Sequence, residues 1–162
     1  MTFEEALQIA QGSPSPDERF IEACTVVATA LESKADYKVE AFVSRGIGYA
    51  MGQKYARALS DLDEAVRLNP TFDRAYVTRA TVYSMLREDQ MALSDFDRSI
   101  DLNPTNPIAY VGRGQLFRRL GMIDKAIADV GMARAFDEGN PHFERLWDQL
   151  LDESLTATTR PN

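Results

Sequence analysis

The chain has 162 residues, 44% of them apolar and 27% charged, with a formal net charge of −7. That size and balance suit one ordinary folded domain and exclude disorder along most of the length. The surplus of acid gives no general electrostatic reason to bind DNA, RNA or an anionic membrane, so the expected partners include neither nucleic acid nor membrane.

Cys24 is the lone cysteine, so no intrachain disulfide can form, which fits a reducing compartment. The opening stretch MTFEEALQIAQGSPSP places Glu4 and Glu5 where a secretion signal carries positive charge. No uncharged apolar run approaches the roughly 18 residues of a spanning helix. The expectation is a soluble cytoplasmic protein.

In chain order, residues 2–12 predict a short first helix. SPDE at 15–18 then reads as a helix start, with Ser15 as N-cap, Pro16 in the first turn and Glu18 completing a capping box. Ala23, Val27 and Ala30 follow at spacings of four and three, so 1–35 is expected to be a degenerate helical unit with a long internal turn.

From residue 39 the chain repeats itself. Phe42, Gly46 and Tyr49 form one helical stripe, and after a break near Gly52–Lys54 a second runs through Tyr55, Ala58, Leu62, Ala65 and Leu68. The unit 39–72 is therefore a hairpin of two amphipathic helices that closes on LDEAVRLNP, where Pro70 blocks continuation. The unit 73–106 repeats it with Tyr76, Ala80, Tyr83, Ala92, Phe96, Ser99 and Leu102, and closes on FDRSIDLNP. The unit 107–139 repeats it again with Tyr110, Gly114, Phe117, Ala126, Val130, Ala133 and Phe136. Glu138 stands where proline stood, so the second helix of this unit is expected to run longer, towards Gly139-Asn140-Pro141. Asn140 and Pro141 start a last helix over 140–152, and its apolar face of Phe143, Leu146, Trp147, Leu150 and Leu151 is expected to cap the stack. Residues 153–162, ESLTATTRPN, have little to bury and are expected to fray.

The small columns, Gly46 with Ala80 and Gly114, and Ala58 with Ala92 and Ala126, mark where two backbones approach, and aromatic columns fill the space beside them. A hairpin of this size cannot bury its apolar face alone, but a stack can. The pattern of aromatic, small, aromatic, Ala, aromatic or aliphatic, Ala and Pro at a period of 34 resembles the tetratricopeptide repeat over residues 39–138. The sequence departs from it at Glu138 and at Arg45, Arg79 and Arg113, where a leucine is usual. The resemblance implies an all-α, right-handed solenoid of helix hairpins.

Those three arginines share a column, and each lies 16 residues before an aspartate: Arg45–Asp61, Arg79–Asp95 and Arg113–Asp129. In an antiparallel hairpin the two positions lie at nearly the same height. A guanidinium near the apolar layer needs an acceptor, and its fork suits a carboxylate. Three aligned arginines could equally form a ligand-binding ladder, but recurrence of the acids at the same period favours structural ion pairs.

Catalytic chemistry is not legible. His142 is the only histidine and, with no companion ligand, cannot form a structural zinc site. Cys24 sits among Ala23, Val26 and Val27 and reads as a buried apolar residue rather than a nucleophile. RGIGYAMG lacks the phosphate-loop spacing, and the carboxylates Asp61, Asp63, Glu64, Asp95 and Asp97 fall at helical spacing suited to a solvated face. The expectation is a non-enzyme with no metal and no cofactor.

In proteins with this repeat the exposed face of each first helix lines a concave groove for peptide segments, so the resemblance implies a groove here. Val43, Ser44, Ile47 and Met51 would line it from the first unit, Arg74, Val77, Thr78, Thr81 and Met85 from the second, and Val111, Gln115, Arg118 and Arg119 from the third. Val43, Val77 and Val111 would form an apolar strip beside Met51 and Met85. Ser44, Thr78 and Gly112 would leave room, and Arg118 and Arg119 would make one end basic. Relatives that grip a Glu-Glu-Val-Asp tail use Lys and Asn on these faces, whereas this chain has Val, Ser, Ile and Thr, which disfavours that clamp. The expected role is a non-catalytic interaction module for a protein or peptide partner, acting as a monomer or weak homodimer. A chaperone for a secreted or membrane-bound client and an assembly subunit of an enzyme complex are the alternatives.

Overall fold

The computed structural model describes residues 1–30 and 34–158. The described residues form helices and connecting turns, with no strand. In order they are α1 (Phe3–Ala10), α2 (Glu18–Thr29), α3 (Ala35–Met51), α4 (Tyr55–Leu68), α5 (Asp73–Met85), α6 (Asp89–Leu102), α7 (Pro107–Arg119), α8 (Ile123–Phe136) and α9 (Pro141–Thr158). The helices pair as antiparallel hairpins, each packed on the next, so the chain is an all-α helical repeat solenoid.

Its apolar interior is a row of clusters rather than one centre. Ala6, Phe20, Cys24 and Val27 close on Ala41 of α3. Val39, Val43, Ala58 and Leu62 close on Ala75 and Val82 of α5. Val77, Ala80, Ala92 and Phe96 close on Ala109 and Leu116 of α7. Tyr110, Ala126 and Val130 close on Phe143, Leu146 and Leu150 of α9, so α9 does for the third hairpin what the next hairpin does for the others.

The small columns lie where the helices cross. A Cβ on Gly46 would stand 3.1 Å from Leu62 Cγ and 3.4 Å from the Ala58 carbonyl, and one on Gly114 would stand 3.0 Å from Val130 Cγ2. Each intra-hairpin turn closes in one way. Lys54 N donates to Tyr49 O at 2.8 Å, Glu88 N to Tyr83 O at 3.0 Å and Met122 N to Phe117 O at 2.9 Å, the six-to-one bond of a helix C-terminus. It needs a left-handed residue just before, which is Gln53 (φ 58°), Arg87 (φ 64°) and Gly121 (φ 75°). In the turns between hairpins the Asn69 and Asn103 side chains accept the amides of Thr71 and Thr105 at 3.0 and 3.3 Å, so LNPT is a self-bonded exit.

Several expectations need correction. The N-cap of α2 is Asp17, not Ser15: Asp17 Oδ1 accepts Phe20 N at 2.8 Å, while the Ser15 hydroxyl donates to the Asp17 carboxylate. The capping box lies instead at α1, where Thr2 Oγ1 accepts Glu5 N and Glu5 accepts Thr2 N. Helix α8 does not run longer than its counterparts, because α4, α6 and α8 each have 14 residues. Asp137 takes the same exit φ of −139° as Asn69 and Asn103, so the helix ends one residue before the missing proline matters. The last helix does not stop at 152 but continues to Thr158, with Glu153 engaged by Arg118. Residues 31–33 of the N-terminal unit and 159–162 of the expected tail lie outside the described residues.

Candidate functional site

The three arginines reach into the seams between helices. Arg45 donates Nε and Nη2 to the two Asp61 oxygens at 2.8 and 2.7 Å, Arg79 to Asp95 at 2.7 and 2.9 Å, and Arg113 to Asp129 at 2.8 and 2.8 Å. The remaining Nη1 reaches back to the preceding unit: to Thr25 Oγ1 at 2.8 Å, Asp63 at 2.7 Å and Asp97 at 2.5 Å. Each guanidinium also lies beside aromatic rings of its own helix, 5.4 Å from Phe42, 5.6 Å from Tyr76 and 5.8 Å from Tyr110. The carboxylate bonds outweigh burial and hold Arg45, Arg79 and Arg113 more firmly protonated than a free arginine. Every donor nitrogen that could serve a ligand ladder is thereby occupied within the chain. Asp61, Asp95 and Asp129 are buried and not part of a solvated face, whereas Asp63 and Asp97 are exposed yet bonded across the unit boundary.

Among the described residues, depressions lie along the first-helix faces. The central one has a volume of about 250 Å³ and is lined by Ile47, Ala50 and Met51 of α3, Val77, Thr78, Thr81, Val82 and Met85 of α5, and Ile108 of α7. Met51, Met85 and Ile108 are more than half exposed, at 57, 54 and 56%. The hydroxyls of Thr78 and Thr81 donate to the Arg74 and Val77 carbonyls at 2.7 and 2.8 Å, so they add no unsatisfied polar group there. On one side, about 390 Å³ is bordered by Leu7 and Ala10 of α1, Asp36, Tyr37, Glu40 and Ser44 of α3, and Arg74 of α5. On the other, about 310 Å³ is bordered by Thr81, Ser84, Met85, Phe96, Gly112, Gln115 and Arg119.

The expected apolar strip is largely absent. Val43, Val77 and Val111 are core residues at 0, 6 and 7% exposure, and only Val77 also borders the central depression. In this helix register they point into the inter-hairpin clusters, and Met51, Met85 and Ile108 supply the exposed apolar surface instead. Ile108 lies three residues before Val111, one helical turn earlier on α7. Gly112 borders the third depression, and its lack of a side chain first makes room for the Phe96 ring, which a Cβ there would overlap. The basic end is also absent: Arg118 is bonded to Glu153 and Gln149 of α9, and Arg119 to Asp89 and Ser84. Arg74 Nη1 is 2.6 Å from Glu40.

Cys24 is fully buried, and burial pushes its thiol up to about 12. His142 is exposed in the first turn of α9, with its amide bonded to Asn140 at 3.0 Å. Among the described residues there is no group of three or more His, Cys, Asp or Glu placed to hold a metal. No described helix is long and apolar enough to cross a membrane.

Comparison with known proteins agrees with this geometry. A family profile described as tetratricopeptide repeat matches residues 96–128. No curated protein sequence matches the chain. Among solved structures, the TPR domain of OM64 from Arabidopsis is similar with a TM-score of 0.69 and 22% identity, over 74% of this chain and 99% of that one. The first TPR of Spaghetti (RPAP3) bound to the HSP90 peptide SRMEEVD is similar with a TM-score of 0.69 and 20% identity, over 78% and 99%. MamA is similar with a TM-score of 0.68 and 24% identity, over 83% and 76%. A tetratricopeptide repeat profile thus matches the chain at residues 96–128, and the stacked hairpins around it have the fold of tetratricopeptide repeat domains.

Proposed function

We propose that the chain is a non-catalytic interaction module whose first-helix face takes a segment of a partner protein. One observation carries the reading: an apolar depression of about 250 Å³ in which Met51, Met85 and Ile108 stay more than half exposed. Exposed apolar side chains gathered in a concavity are costly in water and suit a peptide side chain, and methionine adapts its shape to what it meets. Similar folds support the class of function, since the RPAP3 domain is described with an HSP90 peptide and the TPR2B domain of yeast Sti1 with an Hsp70 complex. Unlike an acidic-tail receptor, this face has its arginines engaged by its own carboxylates.

The test is fluorescence anisotropy with a labelled peptide selected on the wild-type chain. Met51→Glu/Met85→Glu is expected to weaken binding at least about tenfold, since a carboxylate cannot enter an apolar contact cheaply. Unchanged affinity in the folded double variant removes the reading.

A further inference from the structure

The central and N-terminal depressions share two helices. On α3, Glu40 and Ser44 border the N-terminal depression and Ile47 and Met51 the central one; on α5, Arg74 borders the former and Val77, Thr81 and Met85 the latter. A segment long enough to span them would touch both. Seven residues separate Glu40 from Ile47, about 10 Å along a helix axis. That distance is spanned by about three residues of extended chain or about two helical turns.

The two depressions differ in chemistry. The central one is apolar. The N-terminal one sets two carboxylates, Asp36 and Glu40, against one cation, Arg74, which is already 2.6 Å from Glu40. Ser44, only 5% exposed, borders it too. The Tyr37 ring stands beside these groups, a surface on which a cation also rests well. At the other end, Arg119 and Arg118 are matched by Asp89 and Glu153. The lining of the N-terminal depression thus has one acid more than it has cations, while at the other end Arg118 and Arg119 are both paired.

We propose that the occupant of this face pairs an aliphatic side chain, seated among Met51, Met85 and Ile108, with a lysine or arginine seated at Asp36 and Glu40. This rests on the groove reading above and gives the partner its chemistry: a basic, apolar segment rather than an acidic tail. Charge complementarity selects the partner, and apolar burial supplies the hold.

The experiment is panning of a displayed random nine-residue peptide library on four immobilised full-length proteins: wild type, Met85→Glu, Asp36→Asn and Glu40→Gln. Circular dichroism melting checks that each variant is folded; Asp36 is exposed, and the Glu40 side chain is 47% exposed. On wild type, peptides bearing an aliphatic residue are expected with Lys and Arg enriched about threefold over Asp and Glu relative to the input. The enrichment should fall towards the input in Asp36→Asn and Glu40→Gln while aliphatic selection persists. Two results overturn the proposal and leave the groove standing: acidic or charge-neutral peptides selected through the Met85-dependent site, or a basic preference that both carboxylate variants retain. If wild type selects nothing beyond what Met85→Glu selects, the groove reading and this one fall together.

Discussion

Arg79 holds Asp95 through two nitrogens, Nε and Nη2, at 2.7 and 2.9 Å, in a seam where their side chains are 17 and 10% exposed. The same guanidinium touches Asp63 of the preceding hairpin, whose side chain is 59% exposed. One arginine therefore closes its own hairpin and fastens it to the one before.

The two contacts carry unequal weight. Arg79→Met strands the Asp95 carboxylate in a seam that excludes water, and thermal or urea unfolding should show a loss of about 3–5 kcal/mol. Asp63→Asn removes only an exposed partner and should cost about 0–1 kcal/mol. A neutral Arg79→Met would remove the framework role.

Ser99 is fully buried in α6, and its Oγ has no hydrogen-bond partner. The equivalent positions in the neighbouring hairpins are Ala65 and Ala133, both also fully buried. Ser99→Ala should stabilise the chain by about 1 kcal/mol by removing an unsatisfied hydroxyl, read as an upward shift of the urea midpoint at unchanged slope.

Gln53 and Arg87 occupy the left-handed conformation that Gly121 supplies in the third hairpin. Gln53→Gly and Arg87→Gly should each stabilise the fold by about 0.5–1 kcal/mol, and Gly121→Ala should destabilise it by a similar amount. Thermal melting of the three variants checks both signs.

Gly112 faces the ring of Phe96, and the 34-residue offset places Thr78 and Leu62 at the equivalent positions. A larger residue at one position is offset by a smaller one at the other. Gly112→Ala should cost about 1–3 kcal/mol through overpacking, and Phe96→Leu in the same chain should recover part of it. A double variant whose loss equals the sum of the two single losses would show the positions to be independent.

Cys24 lies in the cluster that joins the N-terminal hairpin to α3. Burial pushes its thiol up to about 12, against about 8.5 in an unfolded chain. Below about 8.5 the thiol is neutral in both states and the pH does not act through it. Above that value the unfolded chain alone ionises, so stability falls as the pH rises towards 12. Alkylation of Cys24 at neutral pH should proceed only through opening of the N-terminal unit, at a rate that rises with urea before the far-UV signal of the whole stack is lost. A native-state rate equal to that of a free thiol would contradict its burial.

The repeat was legible in the sequence because stacking imposes the same demand every 34 residues, and columns such as Ala58–Ala92–Ala126 record it directly. The bonds from Arg45, Arg79 and Arg113 to acids 16 residues later were legible for the same reason. Their third bond was not, because it joins a first helix to the helix before it, and Asp63 and Asp97 look in sequence like any solvated acid. The groove was the least legible part. Periodicity gives the face of a residue only to within about one position, and that offset decides whether Val43 enters the core or meets water. The pairings Arg118–Glu153 and Arg119–Asp89 span 35 and 30 residues, so no local pattern announces them.

The methionines offer the most direct reading of the central claim. Six are present, and Met51 and Met85 line the central depression, whereas Met91, Met122 and Met132 are exposed on α6, just before α8 and on α8. Methyl NMR of chain labelled at the methionine methyl carbon, titrated with a selected basic–aliphatic peptide, should shift Met51 and Met85 and leave Met91, Met122 and Met132 in place. Shifts confined to Met91, Met122 and Met132 would put the partner on another face and contradict the account.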